Sequence, residues 1–180
     1  TLTIYLPDLK MGGVPSLYLQ LAPHFVAAGF DVCFLLDRLE GELINGIPSG
    51  IAVQELGIQR QRQAPVKLVS YLRRNKPDVL FTAIEQMNIS AAIACKLANS
   101  GTTHIASQPN PLSMQRQRSG LQFKLLPWLY SKFLHRVFAF IAVSRGVGND
   151  LVKVGKIDKN KVEVPTSPSY QGNQPGLSIR

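Results

Sequence analysis

"LTIYLPDLKMGGVPSLYLQLAPHFVAAGFDVCFLL", residues 2–36, decides the fold of this chain. It contains two almost continuous apolar runs, Leu2–Leu6 and Val32–Leu36, which are typical of strands buried on both faces of a parallel sheet. Between them, Val14–Ala28 repeats its apolar residues at helical spacing. A strand, a helix and a second strand in this order predict a βαβ unit with a right-handed crossover.

Prolines and glycines mark the ends of these elements. Pro15 falls in the first turn of the predicted helix, where a missing N–H costs nothing, and Gly29 ends the helix. Pro23 removes one internal hydrogen bond and predicts a kink. Gly12 and Gly13 lack the G-x-G-x-x-G and G-K-[ST] spacings of the two common phosphate loops. A cradle of backbone N–H groups at the helix N-terminus stays open as an alternative.

The rest of the chain continues the alternation of strands and helices. Further strands are predicted at Ile51–Val53, Val79–Thr82, Thr103–Ser107, Phe138–Val143 and Val162–Val164, and further helices at Pro65–Arg74, Met87–Asn99, Leu121–Arg136 and Gly146–Val154. This order predicts an α/β, Rossmann-like, doubly wound fold with a mainly parallel sheet of about seven strands and flanking helices. The predicted domain covers residues 1–164. Residues 165–180, rich in proline and glycine, are interpreted as a linker stub or disordered tail.

Charge is unevenly distributed along the 180 residues, whose net charge is +9 at pH 7. Residues 1–55 hold two basic and six acidic residues, a net −4, whereas 86–149 hold seven Lys or Arg and no Asp or Glu. Such an acid-free stretch attracts phosphates, anionic lipid or nucleic acid, although scattered charges usually serve solubility alone. A nucleic-acid binder is kept only as an unfavoured alternative, which would lose affinity steeply with salt.

Cysteine and histidine usage argues against a disulfide scaffold and a metal site. Cys33 and Cys95 form no C-x-x-C motif and are interpreted as two buried thiols in a reducing compartment, with a single disulfide as the less favoured alternative. No His/Cys cluster has metal-ligand spacing. The apolar run Val137–Val143 is far shorter than the roughly 20 residues that span a bilayer. We therefore expect a cytoplasmic protein without a metal or other cofactor.

Polar residues follow several of the predicted strands. Ligands of open parallel sheets bind outside the carboxyl ends of the strands, which makes these positions the candidate site. Their amides and hydroxyls suit hydrogen bonding to a sugar or another polyol, although each position alone is more often a turn former. The candidate substrate-binding residues are Gly12, Gly13, Glu85, Gln86, Asn88, Gln108, Asn110, Ser144 and Arg145.

The titratable residues assign no catalytic group. Apart from Asp8 and Asp37, Glu85 is the only carboxylate on the predicted rim; it could accept a proton or a hydrogen bond, but a solvated loop acid is the commoner role. His104 lies within an apolar strand and is interpreted as a core residue rather than a base. The chain has no G-x-S-x-G motif and no Ser/His/Asp set.

The segment "MQRQRSGLQFKLLPWLYSKFLHR", residues 114–136, mixes cations with large apolar residues. We interpret it chiefly as a helix that packs on the sheet and exposes a cationic edge. Peripheral contact with an anionic membrane surface is the alternative, on the inner face for a cytoplasmic protein. A platform for single-stranded nucleic acid uses the same residue types.

Three stretches in this order resemble the N-terminal domain of family-4-like retaining glycosyltransferases, which have the GT-B fold. They are residues 6–36, with a glycine pair after the first strand, "PDVLFTAIEQMNISAAIACKLA" (77–98) and "LLPWLYSKFLHRVFAFIAVSRGVGNDLVKVGKIDKNKVEV" (125–164). The resemblance covers about residues 2–164. It implies a Rossmann-like half that holds a glycan or lipid-linked acceptor, of the kind used for cell-envelope polysaccharide, while a C-terminal domain binds the nucleotide-sugar donor without an obligatory metal.

By the same resemblance, Gly12 and Gly13 would lie near the donor phosphates and the transferred sugar, and the other rim residues would line the acceptor side. The residue after the fifth strand, often basic or histidine in the family, is replaced here by "SQPNP" (107–111). The diphosphate clamp of the donor domain has no counterpart in the 180 residues, so we expect this chain alone to be inactive. The alternatives are a non-catalytic acceptor-binding module or subunit that needs a partner chain, and another kind of nucleotide-binding α/β protein.

Overall fold

A computed structural model describes residues 1–116 and 121–165 of the chain. In these residues seven strands form one sheet in which every pairing is parallel. The strands are β1 (Leu2–Leu6), β2 (Val32–Leu36), β3 (Ala52–Glu55), β4 (Val79–Ala83), β5 (Thr103–Gln108), β6 (Ala139–Ala142) and β7 (Val162–Glu163). The helices are α1 (Gly13–Ala27), α2 (Ala64–Asn75), α3 (Glu85–Ala98), α4 (Leu112–Arg116), α5 (Leu121–Phe133) and α6 (Arg145–Lys153).

The strand order is β3-β2-β1-β4-β5-β6-β7, so the chain reverses its direction of winding between β1 and β4. This is the doubly wound order of Rossmann-like folds, and it confirms the fold class predicted from the sequence. In such sheets the crevice at the reversal point, outside the carboxyl ends of the strands, is the place where ligands bind. The order therefore directs attention to the segments that follow β1 and β4.

Apolar side chains cover both faces of the sheet. On one face, Tyr18 and Phe25 of α1 pack on Phe81, with ring centroids 5.4 and 6.3 Å apart. On the other face, α2 and α3 enclose Tyr5 and Leu80, which are fully buried. Toward β6, helices α4, α5 and α6 bury a third cluster. Because both faces are covered, the central strands must be apolar throughout, which explains why their sequences are continuous rather than alternating.

Several predicted boundaries of strands and helices were wrong, and one helix was missed. The apolar run predicted as a strand from Phe138 to Val143 forms only β6, and its two ends are 68% and 53% exposed. The helix predicted to reach Arg136 ends at Phe133 and gives way to a 3₁₀ turn, while α4 was not predicted. The tail after residue 165, and residues 117–120 of the segment 114–136, lie outside the described residues.

Local chemistry explains where α1 and α6 begin and end. Gly29 has φ +88 and ends helix α1, as predicted. Pro23 lies inside α1, and the helix continues past it to Ala27. Ser144 caps α6, because its hydroxyl accepts a hydrogen bond from the amide of Val147 at 3.3 Å. This cap places the start of α6 at Arg145 rather than at the predicted Gly146.

Candidate functional site

The carboxyl ends of four neighbouring strands carry the predicted site residues. Register aligns Ala83 at the end of β4 with Ser107 of β5, and Gln108 of β5 with Ala142 of β6. The segments that follow these strands therefore meet at one edge of the sheet, next to the loop that follows β1. We call this edge the rim, defined by residues 7–13, 84–88, 108–110 and 143–145.

The structure divides the predicted site residues into an exposed and a buried group. Gly12, Gly13, Asn110, Ser144 and Arg145 are exposed, and Gln86 is half-buried. These six positions can meet a ligand at the rim directly. The other three, Glu85, Asn88 and Gln108, are 4%, 0% and 0% exposed. Their side chains lie beneath the rim, where a ligand at the surface does not reach them.

Asn88 is the centre of a buried hydrogen-bond network. Its side-chain oxygen accepts a 2.6 Å hydrogen bond from the hydroxyl of Thr82, and its Nδ2 donates to the carbonyl oxygen of Ser107 at 3.0 Å. The same Nδ2 lies 3.2 Å from the hydroxyl of Tyr130 and 3.4 Å from Oε1 of Gln108. One side chain thus joins β4, α3, β5 and α5 directly below the rim.

Gln108 and Glu85 extend this network toward the surface. Tyr130 donates its hydroxyl proton to Oε1 of Gln108 at 2.7 Å, and Nε2 of Gln108 donates to the backbone oxygen of Asn110 at 2.6 Å. Glu85 accepts hydrogen bonds of 3.1 Å from Nε2 of Gln108 and from Nε2 of Gln115 in α4. The interpretation of Glu85 as a solvated loop acid is therefore wrong, because helix α4, which was not predicted, covers it.

His104 ends the network on the side away from the rim. Its Nε2 lies 2.8 Å from the hydroxyl of Thr82. Because the only proton of that hydroxyl goes to Asn88, Nε2 must carry the proton and donate to Thr82. Burial lowers the pKa of His104 to about 3, so the ring is neutral at physiological pH. This confirms the interpretation of His104 as a core residue rather than a base, with Nδ1 as its remaining acceptor.

The network assigns Asn88 and Gln108 a positioning role. Their amide groups are engaged by protein partners and fix the backbone of the two rim segments 84–88 and 108–110. Ile84, which links β4 to α3, has φ +89, an unfavourable conformation for a β-branched residue. Thr82, Gln115 and Tyr130 belong to the network but were not predicted. In the sequence, the one local sign of this network was Thr82, whose hydroxyl is a polar group within the apolar strand β4.

The loop of Gly12 and Gly13 is held in place by the segment that follows β2. The amide of Leu9 donates to the carbonyl oxygen of Glu40, and the amide of Leu43 donates to that of Leu9. The amide of Met11 donates to the carboxylate of Glu42 at 2.9 Å. Gly12 has an extended backbone and Gly13 opens onto free space, so this pair leaves the N-terminus of α1 uncovered at the rim.

Asp37 directly follows β2, but its side chain is buried. It is 4% exposed and accepts a 2.5 Å hydrogen bond from the hydroxyl of Tyr5. Burial raises the pKa of its carboxyl to about 6, although Tyr5 and Arg38 act in the opposite direction. In dinucleotide-binding sheets an acid at this position binds the ribose hydroxyls. Here its contact with Tyr5 makes it a structural group instead.

We expect the substitution Asp37→Asn to stabilise the chain at neutral pH. Folding raises the pKa of Asp37 from 3.8 to about 6, so its stabilising contribution is complete below pH 4 and is lost as the pH rises through 6. The variant should gain on the order of 1–3 kcal/mol in free energy of unfolding at pH 7.5 and much less at pH 4. Urea unfolding at both pH values measures this, and Asp31→Asn, at an exposed position, is the control. An equal gain at both pH values would contradict the assignment.

The described residues contain no group of three or more His, Cys, Asp or Glu side chains that could hold a metal ion. Cys33 and Cys95 are free thiols, as predicted, but both are half-buried rather than buried. Partial burial raises the pKa of Cys95 to about 11. Within the same residues, every helix is too short or too polar to cross a bilayer.

Comparison with known proteins relates the chain to a family of glycosyltransferases. A family model for Glycosyltransferase Family 4 matches residues 11–164. No curated protein sequence has significant similarity to the chain. Solved structures, in contrast, share its fold at low sequence identity.

Three of these structures illustrate the match. The Anabaena protein Alr3699/HepE in complex with UDP-glucose has a TM-score of 0.67 and 15% identity, over 91% of this chain and 42% of its own. The lipopolysaccharide outer core galactosyltransferase WaaB has a TM-score of 0.66 and 13% identity, over 91% and 44%. MurG of Acinetobacter baumannii has a TM-score of 0.60 and 14% identity, over 97% and 48%. The chain thus spans less than half the length of each.

Proposed function

We propose that this chain, which belongs to Glycosyltransferase Family 4, forms the acceptor-side half of a retaining glycosyltransferase. The enzyme would transfer a sugar from a nucleotide-sugar donor to a glycan or lipid-linked acceptor. A second, donor-binding domain, on the same chain or on a partner chain, would complete it. The non-catalytic alternative is a module that binds the acceptor without turnover.

One observation carries the proposal: the rim is an open, polar edge on a chain that spans less than half the length of the structures it matches. UDP-glucose is bound in the Anabaena structure, of which this chain matches 42%. A rim that faced a second domain would form one wall of a cleft at the winding reversal of the sheet.

The chemistry of the rim suits an acceptor rich in hydroxyl groups. Asn110 offers an amide, Ser144 a hydroxyl and Arg145 a guanidinium, and all three are exposed. The buried network fixes the backbone at Asn110, and the Ser144 cap fixes the start of α6, so that little backbone freedom is lost when an acceptor binds. Gly12 and Gly13 would allow the transferred sugar and the donor phosphates to approach the N-terminus of α1 closely.

Binding to immobilised glycans tests the acceptor role. We expect the purified chain to bind a subset of an oligosaccharide array, and Asn110→Ala/Arg145→Ala to lose at least about tenfold in affinity, which corresponds to ~1.4 kcal/mol. Asn160→Ala/Lys159→Ala removes the same kinds of group from exposed positions in the turn before β7, at the opposite edge of the sheet, and should bind normally. Equal losses in both variants, or no glycan binding, would argue against this role.

We further expect the 180-residue chain to transfer no sugar by itself. Without donor-side cations the leaving diphosphate lacks electrostatic stabilisation, which is usually the largest catalytic contribution. The measurement is release of UDP from UDP-sugars in the presence of acceptor glycans, together with calorimetric titration of UDP. Steady turnover, or micromolar binding of UDP to this half, would overturn the division of labour. The DNA sequence downstream of the codon for Arg180 would show whether a donor domain follows on the same chain.

The exposed side chains of helix α5 support contact of the proposed enzyme with a membrane. Leu126 and Tyr130 are buried against the sheet, whereas Leu125 and Trp128 are 42% and 53% exposed. Lys124 and Lys132 are exposed beside them, and Nζ of Lys132 lies 5.2 Å from the ring centroid of Trp128. An exposed apolar strip between cations suits the headgroup region of an anionic bilayer, where lipid-linked acceptors reside.

The double substitution Leu125→Ser/Trp128→Ser should weaken binding to phosphatidylglycerol vesicles by at least about tenfold, because it removes the apolar contact area. Co-sedimentation at roughly 0.1 M salt measures the effect, with a further decrease as salt screens the lysines. Val66→Ser/Leu97→Ser, at exposed apolar positions of α2 and α3, is the control. If the chain does not sediment, or both variants lose equally, this surface does not dock on membranes.

A further inference from the structure

A second concave site lies at the edge of the sheet opposite the rim. It is a cleft of about 580 Å³ between the C-terminal half of α3 and the amino-terminal ends of β5 and β6. Residues of one face of α3 form one wall, and the segments that enter β5 and β6 form the others. The lining residues are Ala92, Cys95, Lys96, Asn99, Gly101–His104, Arg136–Phe138 and Lys161. The function proposed above does not use this cleft.

Cations from three separate elements converge on the cleft. Lys96 comes from α3, Arg136 from the 3₁₀ turn after α5, and Lys161 from the turn before β7. None of the described lining residues is an Asp or a Glu. Within the described part of the chain, the side chains of Lys96 and Arg136 make no hydrogen bond or ion pair. Three positive charges around one concavity repel one another, and a bound anion would relieve that repulsion.

The ammonium group of Lys161 is held in position at the cleft. Its ammonium group donates to the carbonyl oxygens of His135 and Val137, at 2.6 and 3.0 Å. An ammonium has three N–H donors, so one remains after these two bonds. The backbone contacts fix the nitrogen without neutralising its charge. Such pre-positioning lowers the conformational entropy lost when a ligand binds.

His104 contributes an unsatisfied acceptor to the same cleft. It is 5% exposed and is one of the lining residues. Its Nε2 is engaged by Thr82, whereas Nδ1 is a buried polar atom with no hydrogen-bond partner. Buried polar groups are nearly always paired, and an unpaired acceptor points to a donor from outside the protein. A neutral Nδ1 suits a hydroxyl group rather than an anion.

We propose that this cleft binds a phosphate ester that also carries a hydroxyl group. The phosphate would lie among Lys96, Arg136 and Lys161. The hydroxyl would donate to Nδ1 of His104, which is buried in the wall of the cleft and would become accessible through a small displacement of that wall. A free metabolite and a phospholipid headgroup share this chemistry. The site is distinct from the acceptor rim, and its proposal stands independently of the glycosyltransferase function.

Titration of the ¹⁵N-labelled 180-residue chain at constant ionic strength tests the site. We expect glycerol 3-phosphate to produce saturable shifts of the amide signals of Gly101 and Phe138, inorganic phosphate to bind more weakly, and glycerol to have no effect. The imidazole Nδ1 signal of His104 should move with glycerol 3-phosphate and not with inorganic phosphate. This last readout uses the unaltered chain, so it does not depend on a variant that folds.

The substitutions Lys96→Ala/Arg136→Ala should weaken glycerol 3-phosphate binding by at least about tenfold. Arg62→Ala/Lys153→Ala removes the same two charges from exposed positions outside the cleft and should change the affinity less than twofold. Phosphatidylglycerol vesicles that compete with glycerol 3-phosphate for the same amide signals would identify a lipid headgroup as the source, and failure to compete would identify a free ester. Absence of saturable shifts, or equal loss in both double variants, would overturn the proposal.

Discussion

Replacing Asn88 with leucine is expected to lower the free energy of unfolding by about 3–5 kcal/mol. The substitution changes volume little but removes both functional groups at the centre of the buried network. The carbonyl oxygen of Ser107 loses its hydrogen bond from the Asn88 side chain, and the hydroxyl of Thr82 loses its acceptor, while both are shielded from water. Each buried group left without a partner costs roughly 1–3 kcal/mol.

Urea unfolding followed by circular dichroism measures this loss. The same substitution at Asn149, on an exposed position of α6, is the matched control and should change stability by no more than about 0.5 kcal/mol. An unchanged slope of free energy against urea would show that the native state keeps its compactness. A loss below about 1 kcal/mol for Asn88→Leu would mean that the network is not a determinant of stability.

The effect of Asn88→Leu on the rim can be measured separately. Asn88 and Gln108 fix the segments that carry Gln86 and Asn110, so the loss of the network should broaden or shift their amide signals even where the fold survives. Tyr130→Phe, which removes only the hydroxyl that donates to Gln108, should produce a smaller version of both effects. A graded series of this kind separates a positioning role from general destabilisation.

The sequence could predict the strand segments and their succession along the chain, because burial on both faces of a parallel sheet imposes an unbroken apolar run on each strand. It could also predict which positions lie at the rim, because the carboxyl ends of all parallel strands meet at one edge. It could not predict which of these polar residues face inward. Glu85 is buried because Gln115 and Gln108 supply donors, and both reach it only through tertiary packing.

The same limit explains why the cationic cleft was not predicted. Lys96, Arg136 and Lys161 are 40 and 25 residues apart along the chain, and charge counting assigns them only to a generally basic half. Their convergence depends on the adjacency of β5, β6 and β7 in the sheet. The uneven charge along the sequence predicted only that a basic half attracts anions. Where the cations meet depends on the order of the strands in the sheet.

The substitution Gly41→Ala is expected to destabilise the chain by at least about 3 kcal/mol and to displace the loop that carries Gly12 and Gly13. Gly41 has φ +124, and a Cβ atom there would overlap the backbone of Leu9 and Lys10. Backbone atoms cannot move aside as the end of a flexible side chain can. The hydrogen bonds that join Leu9 to Glu40 and Leu43 would have to break or lengthen.

Gly50→Ala is the control that separates steric overlap from backbone strain. Gly50 also has a positive φ, +87, but a Cβ atom there would meet nothing within 4 Å. Its substitution should therefore cost only about 1–2 kcal/mol, from the unfavourable φ alone. Amide shifts of Gly12 and Gly13 should change in Gly41→Ala and not in Gly50→Ala. If the two variants are equally stable, the segment after β2 does not hold the glycine loop, and the geometry of the rim must depend on β1 and α1 alone.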